Sequence, residues 1–161
     1  MDHTKSIIQQ ELTRLRRFSY SLTGNQADAD DLVQNTVVRL LKSSIPAEVD
    51  PVPWMLKVCK NLWIDEIRSR EVRMKAANDD RLIDQGPAQV DDEQEQVMNT
   101  ERVLNAVAAL PDNHRLPLSL VALEGLSYAE AAEVLDIPIG TIMSRVARAR
   151  GKLALIFRNE E

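Results

Sequence analysis

The chain has 161 residues, 44% of them hydrophobic and 28% charged, with a net charge of −5; this is the balance of a globular protein, and the overall sign argues against a nucleic-acid partner. One cysteine and two histidines exclude an intrachain disulfide, a cysteine-based zinc site and a multi-histidine metal site, so no metal and no cofactor is expected. Five glycines and two each of Trp, Tyr and Phe argue against glycine-rich phosphate loops and turn-rich β architecture, and for helices; no apolar run reaches the ~18 residues of a membrane span and no signal peptide opens the chain, so a cytoplasmic protein without membrane insertion is expected.

The spacing of Ile8, Leu12, Leu15 and Leu22 predicts an amphipathic helix over 4–22. Gly24 suits the position just past its end, and Asn25 or Asp28 the N-cap of the next helix. That second helix carries Asp28, Asp30 and Asp31 in its first turns, where carboxylates complement the helix dipole, and a stripe of Leu32, Val33, Val37, Leu40 and Leu41. Pro46, Pro51 and Pro53 make 43–53 a loop. A third helix is expected over 53–74, with Pro53 at its first position. Its apolar arc is Met55, Leu56, Val58, Cys59, Leu62, Trp63 and Ile67, with Cys59 read as core, and Lys57, Lys60, Asn61, Ile64 and Arg68 lie on the other side. Three helices with short connections make a small bundle.

Residues 76–100 carry seven acids against one base and lack apolar periodicity, which reads as an acidic linker over 76–96. Helicity returns near Val97, and Val103, Val107 and Leu110 form a stripe that stops before Pro111. A helix over 111–123 contains Pro117, which should kink it or limit its first turn. Gly125 marks a break, and Ser127 and Glu130 form a capping box that opens a helix to Leu135. Residues 136–140 make a tight turn, and a last helix is expected over 141–157, fraying near Gly151.

A short capped helix, a turn and a basic helix make the helix-turn-helix pattern. On the last helix Ile142, Val146, Ala149 and Leu153 point inward, leaving Met143, Ser144, Ala147 and Arg148 on the face that would enter a major groove. Arg145, Arg148, Arg150, Lys152 and Arg158 stand there without one acid. Since screening confines a charge's field to roughly 8 Å, this local stripe outweighs the bulk charge. Arg148 could hold a guanine, Ser144 could read either partner of a pair, and Arg145 and Lys152 are placed for phosphates. On the third helix Trp54, Lys57, Lys60, Asn61, Trp63 and Arg68, followed by Arg70, Arg73 and Lys75, mix aromatics with cations as single-stranded DNA binding requires; Trp63 reads as core.

Four segments carry a resemblance: Asp28-Ala-Asp-Asp-Leu-Val-Gln-Asn-Thr (28–36), Trp54-Met-Leu-Lys-Val-Cys-Lys-Asn-Leu-Trp-Ile-Asp-Glu-Ile-Arg (54–68), Leu123-Glu-Gly-Leu-Ser-Tyr-Ala-Glu-Ala-Ala (123–132) and Ile137-Pro-Ile-Gly-Thr-Ile-Met-Ser-Arg-Val-Ala-Arg-Ala-Arg (137–150). In this order they resemble sigma-70-type RNA polymerase sigma factors of the small extracytoplasmic-function (ECF) group. The resemblance implies an all-α protein of two small helical domains, 1–75 and 97–161, joined by a flexible acidic linker, 76–96. The first domain resembles sigma region 2, which grips the clamp helices of the polymerase largest subunit and captures the −10 element as melted single strand. The second resembles region 4, which docks on the flap of the second-largest subunit and reads the −35 element as duplex.

Mapped residue by residue, the resemblance implies a core-polymerase contact at Asp31, Leu32, Gln34, Asn35 and Arg39. Asn61 matches a residue lining the pocket for a flipped −10 base, and Thr141, Met143, Ser144, Arg145, Ala147 and Arg148 match the −35 reading positions. Promoter DNA, core RNA polymerase and an anti-sigma factor are the implied partners, with no catalytic residues. The sequence departs from the family at Asn35, where Asp or Glu is usual, at Met143 and Ala147, often basic or larger, and at Asp136, often Gly, a position Asp tolerates in the left-handed region. Two alternatives stay open: a sigma-like mimic that sequesters an anti-sigma factor, and a stand-alone helix-turn-helix regulator, which would leave the N-terminal bundle unexplained.

Overall fold

The computed structural model describes residues 2–77 and 99–159, and every element among them is helical. The N-terminal lobe is a bundle of α1 (Asp2–Thr23), α2 (Gln26–Ser43) and α3 (Pro51–Ala77), each packed on the other two. Leu15, Phe18, Leu40, Met55, Leu56 and Cys59 are fully enclosed at its centre, as their stripes require. Gly24, at φ +80°, takes the left-handed turn between α1 and α2 that side chains resist. Asn25 is the N-cap of α2: its Oδ1 accepts the Asp28 N–H at 2.8 Å, which decides between the two cap candidates.

The α2–α3 connection is shorter than expected. Helix α3 begins at Pro51, so the loop is 44–50. Prolines 51 and 53 both fit the first turn, whose N–H groups have no intrahelical acceptor to lose. The loop is tied to the bundle at Ile45, whose buried N–H donates to Thr4 Oγ1 at 2.9 Å.

The C-terminal lobe comprises α4 (Asn99–Ala108), α5 (Asp112–Leu118), α6 (Tyr128–Leu135) and α7 (Ile139–Asn159). In place of one kinked helix over 111–123, α5 ends at Leu118 and a single π-helical turn, Ser119–Leu123, follows. The Glu124 N–H closes that turn on Ser119 O at 2.9 Å, the Leu126 N–H returns to Leu120 O at 3.0 Å, and Gly125, at φ +75°, makes the exit. The capping box forms: Glu130 N–H donates to Ser127 Oγ at 3.0 Å and Ser127 N–H to Glu130 Oε1 at 2.9 Å. Asp136 ends α6 in the left-handed region at φ 60°, ψ 45°. Helix α7 starts two residues earlier than expected and passes through Gly151 without fraying; Ile142, Val146 and Ala149 are fully buried, as the wheel requires, and Leu153 is half-buried.

The two lobes pack against each other: α6 lies on α3, and α5 and the π turn lie on α1. The acidic linker, apart from residues 76 and 77 at the end of α3, lies outside the described residues, as does Val97. Ser127→Ala removes one half of the capping box and should lower stability by about 1 kcal/mol in denaturant unfolding. Unchanged stability would mean that the box contributes nothing to the start of α6.

Candidate nucleic-acid interface

The outward face of α7 is set by its buried face. With Ile142, Val146 and Ala149 locked against α5 and α6, helical periodicity turns Met143, Ser144, Ala147 and Arg148 to solvent, where all four are exposed. Thr141 and Arg145 are half-buried at its margin. Arg145, Arg148, Arg150 and Lys152 make no ion pair among the described residues, so their charge is available to a polyanion.

His114 of α5 is buried beside this cationic helix, and its Nδ1 has no hydrogen-bond partner among the described residues. Loss of hydration, then the nearby charges of Lys152, Arg148 and Arg145, lower its pKa. Sequence reading assigned it no role; only the packing of α5 on α7 reveals this one.

On α3 the expected −10 residues divide. Trp54, Asn61 and Arg68 are exposed and Lys57 is half-buried. Lys60 is only 6% exposed, packed where α6 covers α3, and this corrects its expected place on an open face. Burial lowers its pKa; Asp136, at the end of α6, counters and Lys57 adds to the effect. Helical periodicity placed Lys60 opposite the bundle core correctly, but the second lobe occupies that side.

Arg70, expected among the DNA-facing cations, is engaged within the lobe. Its guanidinium donates to Asp28 Oδ1 at 2.8 Å and to Glu66 Oε2 at 2.8 Å, and lies 5.2 Å from the centre of the half-buried Trp63 ring. It fastens the middle of α3 to the start of α2, and with Asn25 it holds the Asp28 carboxyl below the usual carboxylate range. Arg73 is drawn to the same Glu66 at 3.7 Å.

On α2, Asp31, Gln34, Asn35 and Arg39 are exposed and Leu32 is buried beneath them. Between α2 and α3 runs a groove of about 450 Å³, whose lining includes Asp31, Leu32, Asn35, Arg39, Lys42 and Asp65. Four of the five residues expected to touch polymerase thus border one groove; Gln34 stands outside it. Cys59 is fully buried, 3.4 Å from Ser19 Oγ, and burial pushes its thiol pKa up, so the thiolate form is disfavoured. No cluster of metal-ligating side chains occurs among the described residues, and no described helix is long and apolar enough to cross a membrane.

A His whose folded pKa lies below its unfolded value of about 6.5 binds protons more readily when unfolded, so its contribution to stability falls as pH drops through that value. Thermal unfolding should therefore occur at lower temperature at pH 5.5 than at pH 7.5, and His114→Gln should flatten this difference. An unchanged pH slope in the variant would contradict the assignment.

Family models match both lobes: "Sigma-70 region 2" over residues 7–73 and "Sigma-70, region 4" over residues 100–153. The ECF RNA polymerase sigma factor EcfG of Rhodopseudomonas palustris is 32% identical over 165 residues, covering 96% of this chain and 85% of that protein. The ECF sigma factor SigE of Mycolicibacterium smegmatis is 34% identical over 153 residues, covering 91% of this chain; the chain spans 58% of the length of that protein. Among solved structures, the sigma factor RpoE of Bartonella quintana, in complex with the anti-sigma factor NepR, superposes with a TM-score of 0.76 at 26% identity, covering all of both chains. An all-α fold, two lobes in the region 2 and region 4 order and similarity across nearly the whole chain have one consequence: the chain belongs to the sigma-70 family of RNA polymerase sigma factors, in its ECF group.

Proposed function

We propose that this protein binds core RNA polymerase and directs promoter-specific initiation, its C-terminal lobe reading the −35 element as duplex and its N-terminal lobe holding the melted −10 strand. The observation that carries the reading is the outward face of α7: Ser144 and Arg148 exposed, flanked by cations without ion-pair partners among the described residues, on the second helix of a helix-turn-helix. Arg148 donates two hydrogen bonds to a guanine edge and Ser144 reads its neighbour, while Arg145 and Lys152 neutralise phosphates. On α3, Trp54 offers a stacking surface, Asn61 a polar contact to an extruded base, and Lys57 and Arg68 charge for the strand. Asp31, Asn35 and Arg39 along the α2–α3 groove meet the polymerase clamp, with Leu32 as the apolar floor.

Two small lobes with weak individual contacts gain affinity by engaging one polymerase–DNA assembly together, each raising the effective concentration of the other. The protein contributes recognition and strand capture; RNA synthesis is the polymerase's. An anti-sigma factor is a further proposed partner, as NepR is for the Bartonella quintana relative. The uncompensated cations of α7 favour a DNA reader over a mimic that only sequesters an anti-sigma factor, because a mimic has no phosphates to neutralise.

Run-off transcription with purified core polymerase on a genomic promoter library tests the proposal. Promoter-dependent transcripts are expected, and Arg148→Ala should weaken those that depend on the −35 element by about 1–3 kcal/mol of recognition. Normal initiation by the variant on every promoter would overturn the assignment of α7.

A further inference from the structure

The exposed side of α7 is not uniform. Residues 139, 143 and 147, each about one turn apart, fall in a row along it, and that row is apolar: Ile139 is 46% exposed, Met143 is 49% exposed, and Ala147 lies open beyond them. Ser144 and Arg148, each one residue further on, form a second, polar row about 100° round the helix. The flanks are cationic, with Arg150 beside Met143 and with Arg145 and Lys152 beside Arg148. None of these four cations makes an ion pair among the described residues.

The fold makes no use of the apolar row. The buried face of α7, Ile142, Val146 and Ala149, points the other way, toward α5 and α6. A single exposed apolar side chain needs no explanation, but three in line, fenced by unpaired cations, form a surface with a particular complement. That complement carries negative charge along its rims and apolar groups along its floor. The major groove of DNA has this form: phosphates edge it, and base edges floor it. Only one base offers a methyl group there, thymine at C5, and small apolar side chains are what recognise it. Met143, unbranched and polarisable, adapts its shape to such a contact.

The dimensions agree. Met143 and Ala147 are separated by about 6 Å along the axis at 1.5 Å per residue. Two base-pair steps of 3.4 Å cover nearly the same distance. Residues near the start of a recognition helix are those that meet base edges, and this row opens with the first residue of α7. We infer that the row Ile139–Met143–Ala147 reads thymine 5-methyl groups, so that the −35 element of this protein carries at least one thymine within two base pairs of the guanine held by Arg148. The inference rests on the proposed promoter reading and deepens it by naming a base that the element must contain. It also gives one meaning to the two departures from the family pattern at 143 and 147: methyl contact replaces the contacts of basic or larger side chains.

Removing single methyl groups from the DNA tests it. The probe is a promoter duplex selected from the genomic library by run-off transcription, with each −35 thymine replaced in turn by deoxyuridine, which deletes the 5-methyl group and keeps every hydrogen bond. Holoenzyme assembled from core polymerase and the full-length chain should bind about fourfold more weakly after replacement at one or two of these thymines, the size expected for one buried methyl group. Met143→Ala should weaken binding to the thymine duplex and leave binding to the deoxyuridine duplex unchanged, so that the preference disappears. Ala147→Ser, at the second exposed position, should reduce the preference in the same way. Selected −35 elements without such a thymine, equal binding of thymine and deoxyuridine duplexes at every position, or a preference that survives both substitutions would each overturn the inference. Equal loss on both duplexes in Met143→Ala would also overturn it, and would assign the row to a protein partner. Holoenzyme that assembles yet selects no promoter would refute promoter reading itself, and the thymine contact with it.

Discussion

Limited size constrains everything else in this protein. Lobes of roughly 75 and 60 residues bury a smaller fraction of their surface than a single larger domain would, which leaves each with faces that need covering. Here they cover each other, and the buried residues of both lobes form one continuous cluster, from Phe18 and Leu56 on one side to Leu120 and Val134 on the other. The price is that the shared boundary takes in polar groups, chiefly Glu124, Arg17 and Lys60, which must find partners there or lose hydration. An ordinary core would exclude such groups.

Buried ion pairs contribute little net stabilisation once desolvation is counted, yet breaking one partner is costly. Each lobe also uses its helices twice. Helix α3 is part of the N-terminal core through Met55, Leu56 and Cys59 and presents Trp54 and Asn61 outward, while α7 is anchored by Ile142 and Val146 and presents Ser144 and Arg148. Helices anchored by a buried face thus carry the exposed side chains proposed to meet DNA.

Much of this was legible in the sequence because local chemistry decides it. The capping box at Ser127 and Glu130, the left-handed Gly24, Gly125 and Asp136, and the inward face of α7 follow from short-range rules about caps, turns and periodicity. Boundaries near proline were harder: Pro51 and Pro53 fit inside a first turn as well as in a loop, and Pro117 was followed by a π turn in place of a simple kink. Lys60 and Arg70 were misjudged for one reason. A helical wheel separates faces of one helix but is blind to what another element brings, whether the α6 cover over Lys60 or the Asp28 and Glu66 carboxylates around Arg70. Glu124 lay within a recognised motif, and nothing local announced that its partner was 107 residues away.

Everything proposed for this protein turns on two outward faces, α7 meeting duplex DNA and α3 meeting the opened strand. The most direct measurement is photo-crosslinking in the promoter-bound holoenzyme from single cysteines at Ser144→Cys on α7 and Trp54→Cys on α3, both exposed positions, with the fully buried Cys59 left in place. Crosslinks from position 144 to the −35 duplex and from position 54 to the −10 strand are the predicted result. Crosslinks from neither position to promoter DNA would contradict it.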